Sequence, residues 1–131
     1  MMIRTDELSG AALDWAVGRC EIPAICGPLI RDGEVYYSDM TPDYFVRYQP
    51  SLSWLQCGPL IEKYRFEIIW TDTGRNEGWS AVREWNWGEV YKRHPLGETH
   101  LIAACRAIVT IHLGHSVDVP DSINAHTTPH A

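Results

Sequence analysis

Basic residues are scarce in this chain. Eleven Lys and Arg stand against seventeen Asp and Glu, for a net charge of −6 over 131 residues. No stretch gathers the cations into the cluster that nucleic-acid binding uses. An acidic surface repels phosphate backbones, so direct DNA binding is not expected. Lysine is nearly missing: only Lys63 and Lys92 occur, the other cations being Arg. No apolar run approaches the roughly 18 residues of a spanning helix, and Met1-Met2-Ile3-Arg4-Thr5-Asp6-Glu7 lacks the apolar core of a signal peptide. The expectation is a cytosolic protein without membrane association. The four cysteines, Cys20, Cys26, Cys57 and Cys105, form no C-x-x-C pair, which excludes a zinc knuckle or a dithiol redox motif. Reduced thiols filling core space are expected instead. No phosphate-cradling Gly-rich loop and no G-x-S-x-G motif is present, and nothing in the composition implies a cofactor.

What is present fits one globular domain. Leu8 to Cys20 carries apolar residues at helical spacing (Leu8, Ala12, Trp15; Leu13, Ala16, Val17, Cys20), with Arg19 on the first stripe and Asp14 in a narrow polar sector. Thr5 or Ser9 would cap it. Residues 23–50 are punctuated by Pro and Gly, with strands predicted over Glu34 to Ser38 and Tyr44 to Tyr48 about a turn at 39–43. Pro50-Ser51 predicts a short helix capped by Ser51 and stopped near Cys57-Gly58-Pro59. Arg65 to Thr71 alternates, with Phe66, Ile68 and Trp70 on one side. Residues 72–78 read as a loop, Trp79 to Trp85 as the returning strand, and Trp87 to Tyr91 as a further short strand. Thr99 to Leu113 is the clearest helix, its stripe Leu101, Ala104, Cys105, Ile108 and His112 widened by Ile102, Val109 and Leu113, and Gly114 ends it. So wide an apolar arc needs a sheet and a second cover, which makes a homodimer an expectation. Ser116 to Val119 is a last strand. The fold class is α+β: a single domain over 1–120, mostly antiparallel sheet packed by an N-terminal and a long C-terminal helix, with 121–131 a disordered tail.

Candidate chemistry thins out under inspection. Asp72-Thr73-Gly74 after an apolar strand has the local pattern of a retroviral-type aspartic protease, but Arg75 follows and the helical ends conflict with that fold. His112 and His115 lack a third ligand, so no metal site is expected. Cys105 and His112 share a stripe yet stand about 10 Å apart along the axis, beyond hydrogen-bond reach. An enzyme is therefore the least favoured class. Six Trp and six Tyr are more conspicuous. Trp15, Trp70 and Trp79 lie on apolar stripes and are expected in the core. Trp54, Trp85 and Trp87 lie on none, and core or surface stays open for them.

The segments Leu8, Ala12-Leu13-Asp14-Trp15-Ala16-Val17, Pro50-Ser51, Trp54, Gly58-Pro59-x-Ile61-Glu62, Trp79-x-Ala81, Leu101-Ile102-Ala103-Ala104-x-Arg106 and Leu113-Gly114 with Val117-x-Val119-Pro120 occur in an order that resembles the NinX-like proteins, a small phage-encoded family. The chain departs from that pattern at Thr73 to Gly78 and Trp85-Asn86-Trp87, which are longer and more aromatic. The resemblance implies an accessory protein of phages or prophages acting in the host bacterial cytosol, and no activity. The expected role is binding without catalysis. Tyr48, Ser51, Trp54 and Arg106, polar or amphipathic positions in the matching segments, form the expected site for a small anionic, nucleotide-like ligand of host defence, with an anion at a helix start and Arg between aromatic walls. The alternative is a module that inhibits a host protein through Trp85, Trp87 and the 72–78 loop, its acidic surface mimicking nucleic acid.

Overall fold

The computed structural model describes residues 1–22, 27–38, 45–83 and 95–123. Among them lie three α-helices and seven strands in antiparallel sheets, a mixed α+β domain. The strands are spread over three small sheets rather than gathered into one: β1 (Met2–Arg4) with β7 (Ser116–Asp118), β2 (Leu29–Arg31) with β3 (Glu34–Ser38) and β4 (Phe45–Arg47), and β5 (Glu67–Asp72) with β6 (Glu77–Val82).

Helix α1 spans Gly10–Glu21 and buries every residue from Ala11 to Gly18, as its two apolar stripes require. Arg19 shares a stripe with Trp15 but stays at the surface, its guanidinium 5.5 Å from the Trp15 ring centre. Helix α3, His100–Leu113, starts at a Thr99 cap whose side chain accepts the Ile102 N–H and stops at Gly114, φ +85°. Its wide arc, buried from Ala103 to Val109, packs on α1, α2 and β6 of the same chain. The need for a second cover is thus met internally.

The short helix is longer than the sequence predicts. Helix α2 runs Trp54–Tyr64, straight through Gly58-Pro59. Its cap is Ser53, not Ser51; the Ser53 hydroxyl accepts the Gln56 N–H. An interior proline costs about 3 kcal/mol. That cost is offset because Cys57, Leu60, Ile61 and Tyr64 recur at helical spacing and pack inward, while Pro59 lies on the exposed side. Closure comes instead at Arg65, which takes the left-handed conformation (φ 56°), with Phe66 N–H returning to the Ile61 carbonyl.

Two strands escape a reading of local pattern. β2 is three residues long and joins β3 through Asp32-Gly33, both at positive φ, a two-residue hairpin turn of the Asp-Gly kind. β1 exists only because it meets β7, 112 or more residues away. The strand expected over 44–48 is β4, and the turn expected at 39–43 lies outside the described residues, as do most of Trp79 to Trp85 beyond Val82 and the strand expected over 87–91. Ile123 falls in the segment expected as a tail, yet it is buried against the core. The core itself is built from Leu8, Leu13, Val17, Cys57, Cys105, Ile108 and Val109, with Cys57 and Cys105 both buried, free thiols.

Candidate functional site

Tyr48, Ser51, Trp54 and Arg106 are not gathered at one place. Tyr48 and Ser51 are interior. The Tyr48 ring is buried, edge-on to Tyr37 at 5.6 Å. Ser51 is buried and donates its backbone N–H to Asp14 Oδ1 at 2.9 Å. Asp14, the polar residue of α1, is therefore a structural acceptor beneath the Pro50 turn. Burial pushes its carboxyl up to about 7, against the lowering effect of the Ser51 N–H. Arg106 is also buried: Nε donates to the Leu8 carbonyl at 3.0 Å and Nη1 to the Leu96 carbonyl at 2.6 Å. It clips the segments that precede α1 and α3 to the core, satisfying two carbonyls that would otherwise lie buried and unpaired. Only Trp54 is at the surface, 58 % exposed.

Trp54 stands in a row of rings. Its centroid is 6.1 Å from His100, His100 is 4.1 Å from Trp79, and Trp79 is 5.2 Å from Trp70 in an edge-on pair. The row follows from local structure. Trp70 and Trp79 are direct cross-strand partners on β5 and β6. Trp79 exchanges both backbone hydrogen bonds with Gly97 on its other side, at 2.9 and 2.8 Å. It therefore makes none to Trp70, which places the two tryptophans at a non-hydrogen-bonded pair, where antiparallel side chains come closest. Gly97 can fill this role because it lies flat on α3: a Cβ there would come within 2.4 Å of the Ala103 nitrogen. The same contact brings the start of α3, and His100, against Trp79. Trp54 joins through the first turn of α2, which Gln56 fixes by accepting the Gln49 N–H and donating to the Arg47 carbonyl, both at 2.7 Å.

This face is open. Trp70 is 54 % exposed, against the expectation of a core position. Thr71, Ser80 and Val82, on the other side of the hairpin, are buried; on the Trp70 side Ile68 and Ala81 reach the core, and Trp70 lies beyond the part that is covered. Leu52 and Leu55, beside Trp54 in sequence, are more exposed still. Trp15 is buried as expected, Trp79 is half-buried, and Trp85 and Trp87 lie outside the described residues.

The opposite ends of α2 and α3 are closed by polar groups. The Tyr64 hydroxyl donates to Glu21 and faces His112 Nε2 at 2.7 Å, and Lys63 Nζ pairs with Glu21 Oε1 at 2.6 Å. Phe66 stacks on Tyr64 at 5.3 Å. Burial and then the Glu21 carboxylate push the Tyr64 hydroxyl well above its ordinary range, so it keeps its proton and acts as a tie between three helix ends. Sequence reasoning missed this cluster because its members stand far apart; their one shared signal is that each lies at or next to the last residue of a helix. The Asp72-Thr73-Gly74 tripeptide is a hairpin turn in which Asp72 Oδ1 accepts the Gly74 N–H at 2.8 Å. The loop is shorter than expected, since β5 and β6 extend to Asp72 and Glu77. Among the described residues no three His, Cys, Asp or Glu side chains form a metal-binding group, and no helix is long and apolar enough to cross a membrane.

The model of the bacteriophage P22 NinX family matches residues 4–112 of the chain. That span includes α1, α2 and the whole row from Trp54 to His100. No curated protein matches the chain.

Proposed function

The chain belongs to the bacteriophage P22 NinX family, and on that premise we propose that this phage accessory protein binds a partner protein, without catalysis, through the face of Trp54, His100, Trp79 and Trp70. The observation that carries this is the exposure of Trp54 and Trp70 beside Leu52 and Leu55. Monomeric soluble proteins rarely expose apolar rings in a contiguous group, and tryptophan is the residue most enriched at the energetic centres of interfaces. No described hydrogen bond satisfies the Trp54 or Trp70 indole N–H, so each ring keeps a polar handle for a partner.

A small anionic ligand of host defence is less well supported. Arg106 is committed to the Leu8 and Leu96 carbonyls, and Tyr48 and Ser51 are buried. The capping hydroxyls of Ser53 and Thr99 already occupy first-turn N–H groups of α2 and α3. The two ideas part in a thermal-shift series with nucleotides. A binding face for protein predicts no rise in melting temperature, whereas a nucleotide site predicts about 2.7 kcal/mol of added stability at a hundredfold excess over Kd. A rise with one nucleotide overturns the protein-binding proposal. Retention of a host protein by the wild type, and its loss in the Trp54→Ala/Trp70→Ala double variant with an unchanged circular dichroism spectrum, supports it.

A further inference from the structure

We propose that the partner presents a cationic, arginine-bearing segment to this face, with a guanidinium lying on the Trp70–Trp79 pair and reaching the carboxylates of Asp72 and Glu77. This rests on the protein-binding role proposed above and assigns the chemistry of the partner.

The charges at the edge of the aromatic row carry the inference. Asp72 and Glu77 are direct cross-strand partners. They lie two residues from Trp70 and Trp79, and side chains two apart on a strand share a face. The two carboxylates therefore stand on the tryptophan side of the hairpin. The ladder alternates, so this pair, like Trp70 and Trp79, is non-hydrogen-bonded and its side chains are close. Like charges directly opposite destabilise a hairpin. Neither carboxylate makes an ion pair with a described residue, and both are exposed; Asp72 accepts only the Gly74 N–H through Oδ1, and Glu77 has no described partner. Exposed indole faces bounded by unneutralised carboxylates match one side chain best. Arginine stacks on indole, carries a permanent charge and donates bidentate hydrogen bonds to carboxylates.

The same charges argue against the other occupants. A second copy of this chain joined symmetrically through this face would bring Asp72 and Glu77 toward the same pair on its partner. A nucleic acid would bring phosphates toward both carboxylates.

Calorimetric titration of the full chain with end-blocked octa-arginine at physiological salt tests this. One-to-one binding is expected, several-fold tighter than with octa-lysine, because lysine lacks the planar stack. Trp70→Ala and Glu77→Gln are each expected to weaken it roughly three- to tenfold, whereas Glu62→Gln, which removes an exposed charge near the far end of α2, leaves it unchanged. Glu77→Gln makes no demand on folding, so the test does not hinge on the tryptophan variant. Equal affinity in wild type, Trp70→Ala and Glu77→Gln overturns the proposal, as does the absence of binding. A dimeric mass by light scattering that reverts to monomer in Trp70→Ala overturns it in favour of a second copy. A host protein retained through Trp54 and Trp70 but not displaced by octa-arginine overturns the cationic partner while leaving the protein-binding role intact.

Discussion

Helices α2 and α3 share two ends built in opposite ways. Trp54 and His100 stand at their amino ends and meet at 6.1 Å; Tyr64 and His112 stand at or beside their carboxyl ends and meet at 5.9 Å. The helices therefore run side by side in the same direction. At the carboxyl ends every polar group named has a partner: Lys63 with Glu21, Glu21 with Tyr64, Tyr64 with His112. At the amino ends large apolar rings face solvent and two carboxylates stand opposed without a cation. Aromatic content alone does not distinguish the ends. Closure does: where a ring is buried and its polar atom satisfied, the residue is explained by folding, and where neither holds, folding leaves it unexplained.

Truncation should separate the two ends most strongly. Tyr64→Ala removes a buried ring, its stack on Phe66 and the tie among three helices, and should cost about 3–5 kcal/mol in chemical denaturation. Trp70→Ala removes a larger ring that is half exposed and keeps chiefly its edge contact with Trp79, and should cost only about 1–2 kcal/mol. Comparable losses at the two sites would erase the distinction. Tyr64→Phe keeps the ring and removes one of the two donors to the Glu21 carboxylate, leaving Lys63, for an expected loss of about 1–3 kcal/mol.

Asp14 on α1 is a buried polar group that is only partly compensated, and its behaviour with pH sharpens the contrast. Its folded pKa of about 7 stands above the ordinary 3.8. The folded state therefore holds the proton more tightly than the unfolded chain. Its contribution to stability is fully present below about pH 4, falls as pH rises toward 7, and is flat above that, for a total of up to about 4 kcal/mol. Asp14→Asn retains an acceptor for the Ser51 N–H and removes the charge. Its stability should lose this slope between pH 4 and 7 and exceed the wild type at pH 8. An undiminished slope in the variant would show that other groups set it.

Both the legible and the illegible parts of this molecule have physical causes. α1 and α3 were legible because a period of 3.6 persisted over three or more turns, and their caps, Gly114 above all, lay where the pattern stopped. The sequence predicts a shorter α2, because at Gly58-Pro59 local chemistry argues for a stop and only tertiary burial of Leu60, Ile61 and Tyr64 argues for continuation. β1 pairs with β7 across the length of the chain, and nothing local to Met2–Arg4 announces that. At the site, Trp54 stood out because it joined no apolar stripe, and it is exposed. Trp70 continues the alternation of Phe66 and Ile68, which predicts the core, but the cover that buries Phe66 and Ala81 does not reach it; alternation reports which side of a strand a residue occupies, not how far along that side the cover extends. Arg106 reads in the sequence as a polar residue on an apolar helix, and in the structure it clips backbone carbonyls. That role was invisible without the segments that bring Leu8 and Leu96 to it.

The smallest expected effect bears most directly on why the amino ends remain open. Asp72 also serves the turn, by accepting the Gly74 N–H. If Glu77 were likewise kept for folding, removing it should destabilise the hairpin. Its geometry predicts the reverse: it faces Asp72 at a close, non-hydrogen-bonded position and makes no hydrogen bond within the described residues. Glu77→Gln should therefore stabilise the chain, by about 0.2–0.5 kcal/mol, as relief of like-charge repulsion across strands. The gain should shrink at high salt, because exposed charges are screened within about 10 Å at 0.1 M. Denaturation midpoints of wild type and Glu77→Gln at low and at 1 M salt decide the matter. A variant less stable than wild type would mean that Glu77 serves the fold. A small, salt-sensitive gain would mean that the chain tolerates repulsion at the edge of its aromatic row, as expected where those charges await a partner.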